Sequence, residues 1–202
     1  MNKKAAFFKI RNYIYAPVTN TRNRKISTQL QDLFVKSNSV LDVGCGDMLL
    51  GKQVKRLAKI KSWKGVDVLD YRKTNLPMVK YDGKKIPFKN KSFDTTCAVF
   101  TLHHIEDDIS ILKEMKRVAR KNIVIVEETY DNIFRKYLTY INDYVSNRLE
   151  SLEINIPFNF HSDSEWKAIF KRLGLKLIKQ KRIQQLPFPL NLTHQVVYLL
   201  EV

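Results

Sequence analysis

Long apolar runs are missing from this chain: no stretch approaches the roughly 20 consecutive apolar residues that cross a bilayer. The N-terminal MNKKAAFFKIRNYIYAP begins with lysines, but Lys9 and Arg11 interrupt its apolar residues and no small-residue cleavage site follows. A secretory leader is therefore not expected, and the protein is placed in the cytoplasm. Cysteine is scarce. Cys45 and Cys97 both lie in strand-like apolar context, which predicts two reduced core thiols, and neither has a His or Cys at a ligand spacing, so no metal is expected. With 6 glycines and 6 prolines among 202 residues, 44% of them hydrophobic and 28% charged, the composition excludes disordered and fibrous chains and fits one globular domain. Acidic residues are the minority, 20 against 36 Lys plus Arg, for a net charge of +16. That favours polyanions through counterion release. The basic residues are nevertheless spread along the chain without an aromatic-basic cluster that would stack bases, so nucleic acid is a second-choice partner and a solvated lysine-rich surface the first reading.

What is present is an alternation. Residues 5–15 place Phe7, Ile10 and Ile14 on one side of a short helix, suited to packing as a lid or to peripheral membrane contact, and a second helix is expected over 24–36. Residues 1–36 thus read as a helical cap. From Val40 onward short apolar runs alternate with helical periodicity, the pattern of a parallel sheet flanked by helices. Strands are expected to end at Val43, at 65–68, near Met78 to Tyr81, over 93–100 and over 122–128, with helices at about 48–59 and along Ile105, Ile109, Leu112 and Met115. Phe134, Leu138, Ile141 and Val145 are spaced for a helix over 132–149, an insertion after the fifth strand. Ser162 and Glu165 form a capping box ahead of Trp166, Ile169, Phe170 and Leu173. Two last strands, 175–182 and 194–201, read as an antiparallel pair.

The segment VLDVGCGD at 40–47 ends a strand in a glycine turn. Gly44 and Gly46 remove the Cβ atoms that would block a ligand, and the turn is expected to offer unpaired backbone N–H groups. Leu49 stands where a dinucleotide fingerprint needs its third glycine, which weakens a pyrophosphate reading. Asp42 instead suggests a ligand with an ammonium group. Asp67, at the end of the second strand, is placed to accept both hydroxyls of an adenosine ribose. Asp82 followed by Gly83 could meet an exocyclic adenine amine, although the pair is also a common turn dipeptide.

The succession VLDVGCGD, GVDV, YDGKKIPF and SFDTTCAVFTLHHIED resembles the motifs of the class I S-adenosylmethionine-dependent methyltransferases, especially the type 11 group, over about residues 38–128, and EW-x-x-x-F-x-x-L-G-L at 165–175 resembles that group's C-terminal part. The resemblance implies an α/β fold: a Rossmann-like, doubly wound, mostly parallel seven-stranded sheet with an antiparallel C-terminal strand pair and helices on both faces, in one domain spanning 1–202. It implies S-adenosylmethionine as cofactor, with Asp42, Gly44 and Gly46 at the methionine end, Asp67 on the ribose, Asp82 and Gly83 at the adenine and Phe100 beside the methionine portion. Cys45 and Val68 are counted with these cofactor-binding residues. Met48 departs from the group's frequent third glycine, which implies a tighter turn.

A sulfonium methyl is already electrophilic, so the reaction needs mainly in-line orientation and exclusion of water, with no metal or covalent nucleophile. His103 and His104 follow the fourth strand within the motif that carries the resemblance, and one of them is expected to border the acceptor pocket; His104 or His161 is the candidate to take a proton from an acceptor, while His194 has no assigned partner. The cap and the 132–149 insertion are expected to cover the acceptor, with Tyr13, Tyr15, Tyr137, Tyr140 and Tyr144 offering surface to an apolar or aromatic small molecule. An RNA or protein methyltransferase is the alternative that the charge suggests, although VFTLHH lacks the Asn-Pro-Pro-aromatic motif of base-amino methylation. A cofactor-binding module without catalysis is the third.

Overall fold

The computed structural model describes residues 19–150, 155–185 and 193–202. The expected N-terminal helix over 5–15, with Tyr13 and Tyr15, lies outside them. Seven strands form one sheet: β1 (Ser39–Val43), β2 (Ser62–Asp67), β3 (Met78–Lys80), β4 (Phe93–Val99), β5 (Ala119–Thr129), β6 (Lys176–Ile183) and β7 (His194–Glu201). Their order is β3-β2-β1-β4-β5-β7-β6. The first five run parallel, and β7 pairs antiparallel with both β5 and β6. The order reverses between β1 and β4, where Asp42 pairs with Cys97. At such a reversal the loops leaving two neighbouring strands diverge to opposite faces and leave a crevice at the strand C-termini.

The strands in the middle are buried on both faces, which is why β5 carries the run Ile123, Val124, Ile125, Val126 rather than an alternation. On one face Leu41, Ile123 and Ile125 pack against α3 (Asp108–Val118) and α5 (Asp163–Arg172). On the other, Val40, Val124 and Val126 meet α2 (Leu49–Leu57) and α1, helical over 19–30, whose Ile26 and Leu30 are fully buried. The capping box holds: the Ser162 N–H donates to Glu165 Oε2 at 2.7 Å and the Glu165 N–H to Ser162 Oγ at 3.3 Å. It starts α5 so that Trp166 and Phe170 stack at 5.6 Å and Phe170 meets Tyr198 of β7 edge-on at 5.1 Å. Among the described residues no helix is long and apolar enough to cross a membrane.

Two elements differ from the sequence reading. The helix expected to include Ile105 begins at Asp108, because the chain first makes a 3-10 turn over Leu102–His104 and Asp107 then caps α3 by accepting the Ser110 N–H at 3.0 Å. The helix over the insertion exists as α4 (Ile133–Glu150), but it is turned the other way round. Its apolar stripe faces out, with Phe134 69% and Ile141 61% exposed, and Thr139 and Asp143 face in. Tyr137 and Tyr144 point outward as well, so the expected tyrosine lining is not what α4 offers. Phe134→Gln should therefore change stability by less than about 0.5 kcal/mol, whereas Val126→Ala, at a fully buried β5 position, should cost about 2 kcal/mol; urea unfolding of the two variants checks the orientation of α4.

Candidate functional site: an acid-rich cleft at the strand crossover

A cavity of about 1320 Å³ opens at the C-terminal ends of β1, β2, β4 and β5. Of the residues expected to bind cofactor, Asp42, Gly44, Cys45, Gly46, Asp67, Val68, Asp82, Gly83 and Phe100 all line it, and so do His103 and His104. His161 does not. Its Nε2 pairs with Asp108 at 2.7 Å and its ring meets Trp166 edge-on at 4.6 Å, so it braces the start of α5.

The glycine turn is held differently from the expectation. Its N–H groups are engaged within the protein: Gly44 and Cys45 donate to the Val66 carbonyl at 2.8 and 3.2 Å, and Gly46 donates to Asp67 Oδ2 at 2.9 Å. Gly44 is required by close approach instead. It adopts φ +67°, and a Cβ there would lie 2.0 Å from Thr101 Cγ2. Thr101 reaches over from the loop after β4, donating from Oγ1 to the Gly44 carbonyl at 3.1 Å. Met48, where a third glycine is frequent, takes the left-handed conformation itself at φ 59°, and its buried side chain packs under Gly65. That burial offsets a backbone cost on the order of 1 kcal/mol. Phe100 is likewise left-handed at φ 53°, with the Arg22 guanidinium 5.0 Å from its ring centroid. Two bulky residues in this region flank the cavity, as backbone strain commonly does at binding sites.

Asp42 lies beneath the turn, accepting from Trp63 Nε1 at 3.2 Å and from the Cys97 thiol at 3.7 Å. Burial pushes its carboxyl up to about 7, with the Asp67 charge adding to the rise and the two hydrogen bonds opposing it. Asp67 also accepts the Leu69 N–H at 3.1 Å, which leaves lone pairs on a carboxylate that has about four acceptor sites. Asp82 is exposed and accepts from the N–H groups of Lys84 and Lys85 at 2.9 and 3.2 Å, which hold its carboxyl below the usual range. It closes a turn at the cavity edge. Burial pushes the Cys45 and Cys97 thiols up, as inert core cysteines require.

Three residues matter that the sequence reading passed over. Glu127, 1% exposed near the end of β5, accepts from the N–H groups of Thr101 and Leu102 at 3.0 and 2.7 Å through one oxygen and meets His103 Nδ1 at 2.5 Å through the other. Asp143, reaching in from α4, meets His103 Nε2 at 3.3 Å. Burial opposes charge on the His103 ring, but these two carboxylates hold its pKa up to about 10. His104 is driven the other way, to about 4, first by burial and then by the charge on His103. It is a neutral ring at pH 7 and holds a proton poorly. Glu128, also buried, accepts from Thr193 Oγ1 at 2.8 Å, and burial raises its carboxyl. The signal was legible in VEE: two adjacent acids inside a β-branched run covered on both faces must each have a partner.

Residues 41–126 match the family model described as a methyltransferase domain of type 11. Over those residues, under half of its length, the chain is similar to the class I methyltransferases of type 11. The cofactor of this methyltransferase family is S-adenosylmethionine. The chain is 26% identical over 122 residues to a demethylmenaquinone methyltransferase of Staphylococcus carnosus, covering 54% of this chain and 51% of that one. It is 27% identical over 162 residues to an uncharacterized protein of Methanocaldococcus jannaschii, covering 69% and 62%. The match thus spans between half and two thirds of the length of these curated relatives. Among solved structures, a S-adenosylmethionine-dependent methyltransferase of Thermotoga maritima, described as a possible histamine N-methyltransferase, superposes with a TM-score of 0.64 at 17% identity over 97% of this chain and 98% of that one. That likeness carries the fold, and the methyltransferase sheet order described above agrees with it.

The Gly44 and Thr101 contact is open to direct test. Gly44→Ala should destabilise the fold by about 1–3 kcal/mol through overpacking, and Thr101→Ser, which removes the methyl group that a new Cβ would strike, should restore part of that loss in the double variant. Chemical denaturation of the two single variants and the double variant checks the coupling.

Proposed function

We propose that the chain transfers the sulfonium methyl of S-adenosylmethionine to a neutral or cationic polar small molecule held between the β4 loop, α4 and the ends of β5 and β7. One observation carries the reading: the cavity's charge is opposite to that of the protein. Eight lining residues are carboxylates and three, Arg22, Lys73 and Lys84, are Lys or Arg, in a chain of net charge +16. An acid-rich cleft favours a cofactor with a sulfonium and an ammonium group and repels phosphate, which argues against RNA as the molecule that enters. Under this reading Asp42 faces the cofactor ammonium, Asp67 the ribose hydroxyls, Asp82 and Gly83 the adenine edge, and Phe100 the methionine portion.

The acceptor end is polar rather than apolar. Asn142, Asp143, Ser146 and Asn147 come from α4, while Glu128, Thr193 and Gln195 come from the strand ends. Such groups orient an acceptor through hydrogen bonds, and holding it in line with the methyl group supplies roughly 7–11 kcal/mol of the barrier where alignment is good. His104, neutral and facing the cavity, serves as a hydrogen-bond partner for the acceptor more readily than as a proton store.

Release of S-adenosylhomocysteine with small amines or phenols, measured against folded RNA as competing acceptor, tests the substrate class; turnover with RNA alone would replace this reading by the nucleic-acid one. The cofactor site has its own test. An ammonium ligand favours ionised Asp42, whose carboxyl in the free protein sits at about 7, so affinity for S-adenosylhomocysteine should weaken by up to about tenfold per pH unit below 7. Calorimetry between pH 5.5 and 7.5 should show this slope in the unmodified chain and lose it in Asp42→Asn.

A further inference from the structure

The ring of His103 is fixed on three sides. Its Nδ1 meets Glu127 at 2.5 Å, its face stacks on Phe160 at 4.4 Å, and its Nε2 points to Asp143 at 3.3 Å. His104 follows it directly, with its ring centroid 4.1 Å away and its Nε2 at 3.8 Å from the same Asp143 oxygen. One nitrogen from each ring and one carboxylate oxygen of Asp143 lie within 4.8 Å of one another. A bridge between His103 and two acids explains only part of this arrangement. Asp143 Oδ1, which both rings approach, also accepts from Asn147 Nδ2 at 2.5 Å, whereas Asp143 Oδ2 and His104 Nδ1 are buried and have no hydrogen-bond partner among the described residues, and Asp143 is only 6% exposed. A buried carboxylate oxygen without a donor is costly, and Oδ2 belongs to the same carboxylate whose Oδ1 faces two imidazoles, which points to a ligand that the protein itself does not supply.

We propose that His103, His104 and Asp143 bind one divalent transition-metal ion, of the class of Zn²⁺, Fe²⁺ or Co²⁺. Two imidazole nitrogens and one carboxylate oxygen suit such ions, and three protein ligands leave further coordination positions open. The contact of Glu127 with Nδ1 is the arrangement that fixes a ligating histidine's tautomer and turns Nε2 toward a metal. An imidazole nitrogen binds a metal only in its deprotonated form, so binding releases any proton held there. Bonds of about 2.1 Å place tetrahedral ligand atoms roughly 3.4 Å apart, so the three side chains close by about an ångström around the ion.

All three residues line the same cavity as the glycine turn, so the open positions face the space assigned to the acceptor. An oxygen or nitrogen of the acceptor would complete the coordination there. That use rests on the proposed methyl transfer, whereas metal binding does not depend on it. The experiment therefore measures the metal alone, in the absence of cofactor and acceptor.

The full chain, stripped with a chelator and dialysed, is titrated with ZnCl₂ by calorimetry and with CoCl₂ by visible absorption. The expected result is one ion per chain with micromolar or tighter affinity and cobalt bands characteristic of nitrogen and oxygen ligands. Asp143→Asn and His104→Ala should each weaken binding by at least about 30-fold. Glu127→Gln, which leaves the three ligands in place, should weaken it about 10–100-fold, and His161→Ala, away from the cavity, should leave it unchanged. Thermal melting establishes that each variant is folded, and the unmodified chain is decisive where one is not. Binding weaker than about 100 µM in the unmodified chain, or binding that survives both Asp143→Asn and His104→Ala in folded protein, overturns the proposal.

Discussion

One buried carboxylate organises the cleft. Glu127 receives two backbone N–H groups and one imidazole, and through them it fixes the path of the chain as it leaves β4. Everything on the cleft's near wall follows from that path. Thr101 is brought over the glycine turn so closely that only glycine fits beneath it. Phe100 is forced into the left-handed region, and His103 is delivered to Asp143 of α4. A carboxylate that is 1% exposed is stable only when its acceptor positions are filled, so the loop cannot relax without stranding the charge. The strain at Phe100 and the crowding at Gly44 are maintained by that penalty.

The same reasoning explains how a basic protein holds an acidic cleft. The crossover between β1 and β4 gathers strand ends, and the acids Asp42, Asp67, Glu127 and Glu128 all sit at or near them. Some of these charges are neutralised within the fold. Glu127 has His103, and Asp42 stays partly protonated near neutral pH because burial raises it to about 7. Asp67 is tied to the turn but keeps acceptor capacity. The result is a basic chain around an acid-rich cavity. Net charge alone therefore does not describe the lining of this cavity.

Most of the fold was legible in the sequence because it is written in periodicity. The β-branched run of β5, the alternation of strands with helices, and the S-x-x-E box at Ser162 each have a local physical cause. The lining of the cavity was legible too, since the carboxylates and glycines stand at strand ends. What escaped was orientation. The apolar spacing of α4 is real, yet spacing does not say which face meets the protein, and here the polar face is turned inward, where Asp143 meets the buried His103 and the Thr139 hydroxyl bonds back to the Arg135 carbonyl of its own helix. His104 follows β4 and His161 stands ahead of the capping box, and the sequence offers either as the group that takes a proton. Their partners, Asp143 and Asp108, lie 39 and 53 residues away in the chain, a separation no local pattern reports. The turn's N–H groups were expected to be unpaired because a strand-to-helix turn usually leaves them so, and the Val66 carbonyl and Asp67 claim them here.

The central claim is that Glu127 pins the loop after β4 as firmly as the sheet itself. Native-state amide hydrogen exchange at Thr101 and Leu102 measures this directly, since both N–H groups are donated to that carboxylate. Exchange as slow as that of the buried β4 amides, requiring opening on the scale of the whole domain, is the predicted result. Exchange at rates typical of a solvated loop, with β4 still protected, would contradict the account.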